Sequence, residues 1–206
     1  GKRRNGEDAG RDSEDMTKRR LSQAISEGDG ISIIVGVESA DAARDAEAAG
    51  AEGVLVSGGP AEHLAAVRAA TELPILVVYD PERAASEAAD ACIVDVDGED
   101  RDWLEQIRAD LSEHWEVAPR IGKEEHLEFV LEELDPEVLV LHADGDAPLA
   151  DALELLQDVP AGKLAIADVG ASTRDQVAEL ERAGMDAVIV YGGNIADLVG
   201  SAPPEV

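Results

Sequence analysis

Apolar and polar positions alternate in a regular way along the chain from residue 31 onward. Short runs of β-branched and other apolar residues are separated by alanine-rich segments in which apolar residues recur at helical spacing. Continuously apolar strands separated by helices are typical of parallel strands that are buried on both faces. The predicted strands cover residues 31–38, 53–57, 74–80, 91–97, 115–121, 138–143, 163–170 and 187–193.

Eight such strand–helix units predict an α/β protein of a particular kind, a compact (βα)8 TIM barrel. The even-numbered strands follow related phrases, which are AEAAGAEGVLV, SEAADACIV, LEELDPEVLV and ERAGMDAVIV. This fourfold internal repeat supports a closed barrel. An open, flavodoxin-like sheet is the alternative architecture that is compatible with the same pattern.

Two segments precede the first predicted strand. Residues 1–15 lack apolar periodicity and are predicted to be a disordered tail, with Met16 as an alternative start of the protein. Residues 17–28 place Leu21 and Ile25 at i and i+4, which predicts a short amphipathic helix. We therefore expect a tail over residues 1–15 and a single barrel domain over residues 16–206.

Composition excludes several classes of function. The chain has a formal net charge of −29 and only 2% aromatic residues, whereas nucleic-acid binding needs a basic surface and exposed rings. No apolar run reaches the roughly 20 residues of a membrane span, and the single cysteine excludes an internal disulfide. We expect a cytoplasmic protein with a solvated acidic surface like that of salt-adapted proteins, and no nucleic-acid or membrane partner.

Candidate catalytic residues are found where the predicted strands end, because the carboxyl ends of barrel strands form the working face of this fold. A carboxylate in an apolar strand costs several kcal/mol unless it meets a partner or water, which draws attention to Asp95 and Asp168. Their alternative role is an ion pair or a helix cap. We assign Arg120 to hold an anion, and Asp168, Glu38 and His142 to proton transfer.

Candidate phosphate-binding residues follow the last two predicted strands. Gly170 and Ser172 precede one helix, and Gly192 and Gly193 precede another. Small residues at a helix N-terminus present backbone N–H groups, which favour an anion. These positions predict a phosphorylated small-molecule ligand, although tight turns and a helix cap at Ser172 are the structural alternative.

The segment DVGASTRDQVAELERAGMDAVIVYGGNI resembles the C-terminal quarter of the indole-3-glycerol phosphate synthase family. Weaker similarities to the same family are found in three upstream segments, ELPILVVYD, PEVLVLHADGD and IIVGVESA. The resemblance therefore extends over about residues 31–200. Phosphoribosylanthranilate isomerase and thiamine phosphate synthase share the C-terminal phrase. The resemblance implies a TIM-barrel carboxy-lyase of tryptophan biosynthesis that needs no cofactor.

The chain departs from this family at the catalytic positions. Glu38 and Gly36 stand where the family has a lysine and a glutamate on its first strand, and Val78 replaces the second lysine. Arg120 replaces a glutamate, and Asp168 shortens another. His142 and Asp144 stand where the family has an asparagine and an arginine.

Three hypotheses follow from these departures. The first is a divergent enzyme of the resembled family, and the second is a non-catalytic binding or scaffold barrel. The third is a metal-dependent enzyme that holds Mg²⁺ or Mn²⁺ through Asp95, His142, Asp144 and Asp168, since carboxylate oxygens suit these cations.

Overall fold

The computed structural model describes residues 19–80, 88–98, 100–111 and 115–199. Eight parallel strands close into a barrel in chain order, and the last strand pairs with the first. The predicted (βα)8 barrel is therefore confirmed, and the open sheet is wrong. The strands are β1 (Ser32–Val37), β2 (Gly53–Val56), β3 (Ile75–Val78), β4 (Ala91–Asp95), β5 (Glu116–Ile121), β6 (Val138–His142), β7 (Leu164–Asp168) and β8 (Ala187–Val190).

The helices of the described residues lie at the predicted positions, one before the first strand, six between strands and one after the last strand. They are α1 (Arg20–Glu27), α2 (Ala40–Ala48), α3 (Ala61–Ala70), α4 (Arg101–Leu111), α5 (Glu124–Glu133), α6 (Pro148–Leu156), α7 (Arg174–Ala183) and α8 (Ile195–Leu198). The helix predicted between β3 and β4 covers residues 81–90, of which 81–87 lie outside the described ranges and 88–90 are not helical. The predicted tail at 1–15 and Met16 also lie outside them, and the division into tail and barrel domain stays a prediction.

Alternate residues of each strand point into the barrel, as the two-residue period of a strand requires. The middle of the barrel is apolar, and the buried cluster there includes Ile34, Leu55, Leu76, Ile93, Val140, Ile166 and Ile189. The next inward-facing residue of each strand, two positions further along, lies at the end of the barrel where the strands have their carboxyl ends, which we call the mouth. On several strands this residue is polar. This is how the sequence places Asp95, His142, Asp168 and Tyr191 in one layer.

Helix α1 covers the opposite end of the barrel. Leu21 is 0% exposed and Ile25 is 5% exposed, and both belong to the apolar cluster of the barrel interior. The backbone N–H of Ser22 donates to Glu116 at 3.1 Å, which fixes the helix against the start of β5. The predicted amphipathic helix is therefore confirmed, and its apolar face has a partner.

None of the helices in the described part of the chain has the length and apolar character of a membrane-spanning segment.

Candidate functional site

Asp168 is the centre of a polar network at the barrel mouth. Its side chain is inward-facing at the end of β7, and the residue is only 4% exposed. Oδ2 accepts a hydrogen bond from Nη1 of Arg120 at 3.2 Å, and Oδ1 accepts one from the hydroxyl of Tyr191 at 3.2 Å. The cost of burying a carboxylate is thereby offset by two donors, one of them charged.

Arg120 is held between two carboxylates. The β4–β5 register places Asp95 beside Arg120, and the two side chains form a two-point pair with Nε–Oδ1 at 2.5 Å and Nη2–Oδ2 at 2.9 Å. The hydrogen bond to Asp95 raises the pKa of Arg120 and outweighs the lowering by burial; Asp168 raises it further. Three of the five guanidinium N–H groups are engaged, and the other two meet no acceptor among the described residues.

His142 completes the network from β6. Its Nδ1 lies 3.0 Å from the backbone oxygen of Asp168 and 3.5 Å from Oδ2 of the same residue. Because a carbonyl oxygen only accepts, Nδ1 carries the proton in the neutral ring, and Nε2 is left with its lone pair. The side chain is 38% exposed, so this nitrogen is within reach of a ligand.

Tyr191 lies across the mouth from β8, and sequence reasoning assigned it no role. A Cβ atom added to Gly36 would lie 2.7 Å from Cδ1 of Tyr191, so the ring occupies the space that a side chain on β1 would fill. Tyr191 is 54% exposed as a whole, but partial burial of its phenol raises the pKa to about 12, with a further rise from the charge of Asp168 and its hydrogen bond. The phenol therefore remains a hydrogen-bond donor at neutral pH. Two features of the sequence could have predicted this contact. Residue 191 is at an inward-facing position of its strand, and Gly36 leaves space at the corresponding position of β1.

A cleft of about 840 Å³ opens beside this network. Asp95, Arg120 and His142 line its inner side, and residues of α5 and α6 form its outer walls. The cleft therefore lies off the barrel axis, above the carboxyl ends of β4 to β6. It is the space in which a ligand could meet both Arg120 and His142.

The structure brings together three of the four predicted catalytic residues. Arg120, His142 and Asp168 belong to one network, whereas Glu38 is exposed just beyond β1 and makes no hydrogen bond or ion pair with the described residues of that network. The four catalytic roles assigned from sequence stay predictions.

The residues of the alternative metal site, Asp95, His142, Asp144 and Asp168, do not converge on one point in the described structure. Asp95 and Asp168 are separated by the guanidinium of Arg120, which takes the place of a shared cation. Asp144 is exposed beyond β6. Among the described residues, no three His, Cys, Asp or Glu side chains are grouped so that they could hold a metal ion.

The predicted phosphate-binding glycines lie in turns at the mouth. Gly170, Gly192 and Gly193 have φ angles of 65°, 87° and 91°, which favour glycine. The backbone N–H of Ser172, however, donates to Oε1 of Gln176 at 3.0 Å and is not available to an anion.

The helix cap is Thr173 rather than Ser172. Thr173 accepts from the backbone N–H of Gln176, and the Gln176 side chain accepts from that of Thr173 in return, which makes a capping box. The cap expected at Ser172 is therefore wrong, because α7 begins one residue later than sequence reasoning placed it. The phosphate-binding role of these residues stays a prediction.

Fold and site together define a (βα)8 barrel with an ion-pair network at its mouth that is centred on one buried carboxylate, Asp168. No family model matches the sequence, and no curated protein matches it. Solved structures of the same fold include oxaloacetate acetylhydrolase in complex with the product oxalate, with a TM-score of 0.63 and 14% identity over 88% of this chain and 81% of that one. Another is 2,3-dimethylmalate lyase, a member of the PEP mutase/isocitrate lyase superfamily, with a TM-score of 0.60 and 18% identity over 84% of this chain and 80% of that one.

These structures correct the family that the sequence suggested. They belong to a different TIM-barrel family from indole-3-glycerol phosphate synthase, so the expected membership of that family is wrong, and so is the function in tryptophan biosynthesis. The similarity with them is one of fold. The C-terminal segment that resembles the other family contains the capping box of α7 and the left-handed Gly184 at its end, which are structural features of a strand–helix–strand unit.

Proposed function

We propose that the protein is an enzyme that removes a proton next to the carbonyl group of a small molecule bound in the cleft. His142 would accept the proton at Nε2, and the electron pair would move to the carbonyl oxygen. The two remaining N–H groups of Arg120 would donate to this oxygen as it becomes negative. Return of a proton to the same carbon completes an exchange cycle without any other reactant.

The observation that carries the proposal is the 3.0 Å contact of His142 Nδ1 with the backbone oxygen of Asp168, from which the tautomer of the ring follows. The bond from Nδ1 to the backbone oxygen of Asp168 leaves Nε2 as the basic nitrogen of a side chain that lines the same cleft as Arg120. Both side chains approach Oδ2 of Asp168, Arg120 through Nη1 at 3.2 Å and His142 through Nδ1 at 3.5 Å. A general base has to lie within hydrogen-bond reach of the proton that it takes, and a fixed ring satisfies that requirement better than a mobile one. Asp168 would position both groups.

The charge balance of the site favours a neutral carbonyl over a strongly anionic ligand. Arg120 carries one positive charge and is paired with two carboxylates, Asp95 and Asp168. A cation compensated in this way attracts a distant anion weakly, but its free N–H groups can still stabilise negative charge that develops at short range. One protein of similar fold is named an oxaloacetate acetylhydrolase, and oxaloacetate has carbon–hydrogen bonds next to a carbonyl group, but its two carboxylates make it more anionic than the ligand that this charge balance favours.

The test is exchange of carbon-bound hydrogen in deuterated water, followed by proton NMR. The panel contains oxaloacetate, dihydroxyacetone, dihydroxyacetone phosphate and aminoacetone, so that compounds with and without phosphate are compared. We expect at least one compound to lose its signal faster with protein than without it. A preference for the phosphorylated member would support the predicted phosphate-binding turn.

His142→Gln should abolish this exchange, since the amide has no basic nitrogen. The matched control is His63→Gln, because His63 lies on α3 and does not line the cleft. Exchange that is absent for the whole panel, or equally fast in His142→Gln, would refute the proposal.

A further inference from the structure

We propose that α1 is a hinged plug in the barrel, which opens as a unit while the strands stay paired, and that ionisation of Glu116 promotes the opening. α1 closes the end of the barrel opposite to the mouth, so this opening does not depend on the proposed function. Three features of the structure lead to it: the low intrinsic stability of α1, its attachment through side chains, and a buried carboxyl oxygen without a partner.

α1 has little helical stability of its own. It has only eight residues, and no side chain caps its first turn. Isolated helices shorter than about 12–15 residues are marginal in water. Arg20 at its start and Glu27 at its end also carry the sign of charge that the helix dipole disfavours at each position. α1 is therefore helical because it is docked, and a copy of α1 that leaves the barrel loses its helix in the same event.

Side-chain contacts hold α1 in the barrel. Leu21 and Ile25 enter the apolar cluster of the interior. Among the described residues, no backbone–backbone hydrogen bond joins α1 to a strand, whereas the backbone of every strand pairs with two neighbours. The chain then turns into β1 through Gly28 and Gly30, and the φ angle of 111° at Gly30 favours glycine. These two glycines give α1 a hinge, so that it can leave without breaking the sheet.

Glu116 is the part of the docking contact that responds to pH. Its Oε2 accepts the backbone N–H of Ser22 on α1 at 3.1 Å, whereas its Oε1 is buried and has no hydrogen-bond partner. The closed form therefore suits the protonated carboxyl group better than the carboxylate. When α1 leaves, water reaches both oxygens, so the open form gains most when Glu116 is ionised.

The charged neighbours of Glu116 oppose each other. Glu137, just before β6, repels the carboxylate, and Arg19, which precedes α1, attracts it. Arg19 and Glu137 are themselves paired at 2.7 Å. Asp90, whose backbone oxygen accepts the N–H of Glu116, has its carboxylate paired with Arg20 of α1 at 3.4 Å. Burial is the largest influence and raises the pKa of Glu116, so opening becomes more favourable as the pH rises from 4.5 through the raised pKa.

The experiment measures the labelling rate of a thiol introduced by Ile25→Cys in the full chain. Residue 25 is 5% exposed, so this thiol reacts when α1 opens. Cys92 is 0% exposed between β4 and α4, and it reports unfolding of the barrel in the same molecule. The reagent is a dipyridyl disulfide, which reacts with thiols in acid as well as at neutral pH. We expect the introduced thiol to react at least about tenfold faster than Cys92 at pH 8, since local opening requires less free energy than global unfolding.

Glu116→Gln in the Ile25→Cys background tests the role of the charge. The amide is neutral at every pH, and its oxygen can still accept from Ser22. We expect the substitution to slow labelling of the introduced thiol about fivefold or more at pH 8, from the usual cost of a buried group without a partner. The difference should shrink toward pH 4.5, and comparison at one pH cancels the pH dependence of the thiol. Glu128→Gln, exposed on α5, is the matched control and should have no effect.

Hydrogen exchange of the unsubstituted protein makes the same comparison without Ile25→Cys. We expect the amides of residues 23–27 to be less protected than those of β4 and β7 at pH 8. Equal protection, or equal labelling of the introduced thiol and Cys92, would mean that α1 opens only when the whole barrel unfolds, which would overturn the plug. An effect of Glu116→Gln that is the same at pH 4.5 and pH 8, or that Glu128→Gln also produces, would overturn the role of Glu116.

Discussion

Asp168 and Gly36 illustrate how single residues shape the mouth of this barrel. A buried carboxylate is stable at Asp168 because a guanidinium and a phenol reach it from neighbouring strands. The phenol of Tyr191 can reach it only because residue 36 has no side chain. One glycine on β1 therefore controls the geometry of an acid on β7, two strands away around the closed barrel.

Gly36→Ala should destabilise the protein, because the new Cβ would lie 2.7 Å from a ring atom of Tyr191. Overpacking of this kind costs about 1–3 kcal/mol of the free energy of unfolding, which urea denaturation measures. In the background of Tyr191→Ala the same substitution should be neutral or slightly stabilising, since the ring is gone. An equal loss in both backgrounds would mean that the Gly36–Tyr191 contact is not the cause.

Strand parity predicts which side chains enter the mouth, but it does not predict which of them pair. Asp95, Arg120, His142 and Asp168 were all placed at the mouth by counting along the strands. Their pairing depends on the stagger of the barrel, which sets Arg120 level with Asp95 on one side and with Val140 on the other. This stagger results from closure of the whole sheet, and no local pattern records it.

At the scale of elements, the repeated phrases before the even strands have a structural explanation. Asp186, just before β8, accepts the backbone N–H of Ala165 in β7 at 2.8 Å. Asp90, just before β4, accepts the backbone N–H of Ile75 in β3 at 2.8 Å. Asp90 and Asp186 stand at the same place in the repeated phrase, and each links an odd-numbered strand to the start of the next even-numbered strand. The phrase predicts fold correctly and carries no information about chemistry, which is why the family resemblance was wrong.

The contact between α1 and β5 makes stability depend on pH. Burial raises the pKa of Glu116 above its ordinary value of 4.5, and nearby Glu137 raises it too, while the N–H of Ser22 and the charge of Arg19 oppose the shift. Oε1 of Glu116 is buried without a hydrogen-bond partner. The folded state therefore holds this proton more tightly than the unfolded chain, and stability is lost as the pH rises from 4.5 through the raised pKa.

Glu116→Gln should relieve this cost, because the amide stays neutral at every pH and its oxygen can still accept from Ser22. We expect the variant to melt above the unsubstituted protein at pH 8, by about 2–4 °C for each kcal/mol gained, with the difference vanishing toward pH 4. Glu128→Gln, at an exposed position on α5, removes the same charge and serves as the control. A difference for Glu116→Gln that persists unchanged at pH 4, or that Glu128→Gln reproduces, would contradict this account.

At the scale of the whole molecule, the sequence predicts the closed barrel because eight apolar strands and their helices repeat with little interruption. It does not predict the off-axis cleft, because the walls of that cleft come from helices α5 and α6, whose surface carboxylates look like any others in an acidic chain. These carboxylates are distinguished from other surface carboxylates only by the residues that face them in the folded chain. In the folded chain, residues of these two helices and of the segments after β4, β5 and β6 line one open cleft, although they are far apart in the sequence.

The net charge of −29 also makes overall stability depend on ionic strength. Repulsion among surface carboxylates favours the expanded, unfolded chain, and salt screens it, as the Debye length falls from about 10 Å at 0.1 M to about 3 Å at 1 M. We expect the melting temperature to rise steeply with KCl concentration at pH 8. The rise should become much smaller as the pH approaches the pI of 4.2, where the formal charge disappears. A salt response of equal slope at both pH values would point to general exclusion of salt from the protein surface, since that effect does not require the protein to be charged.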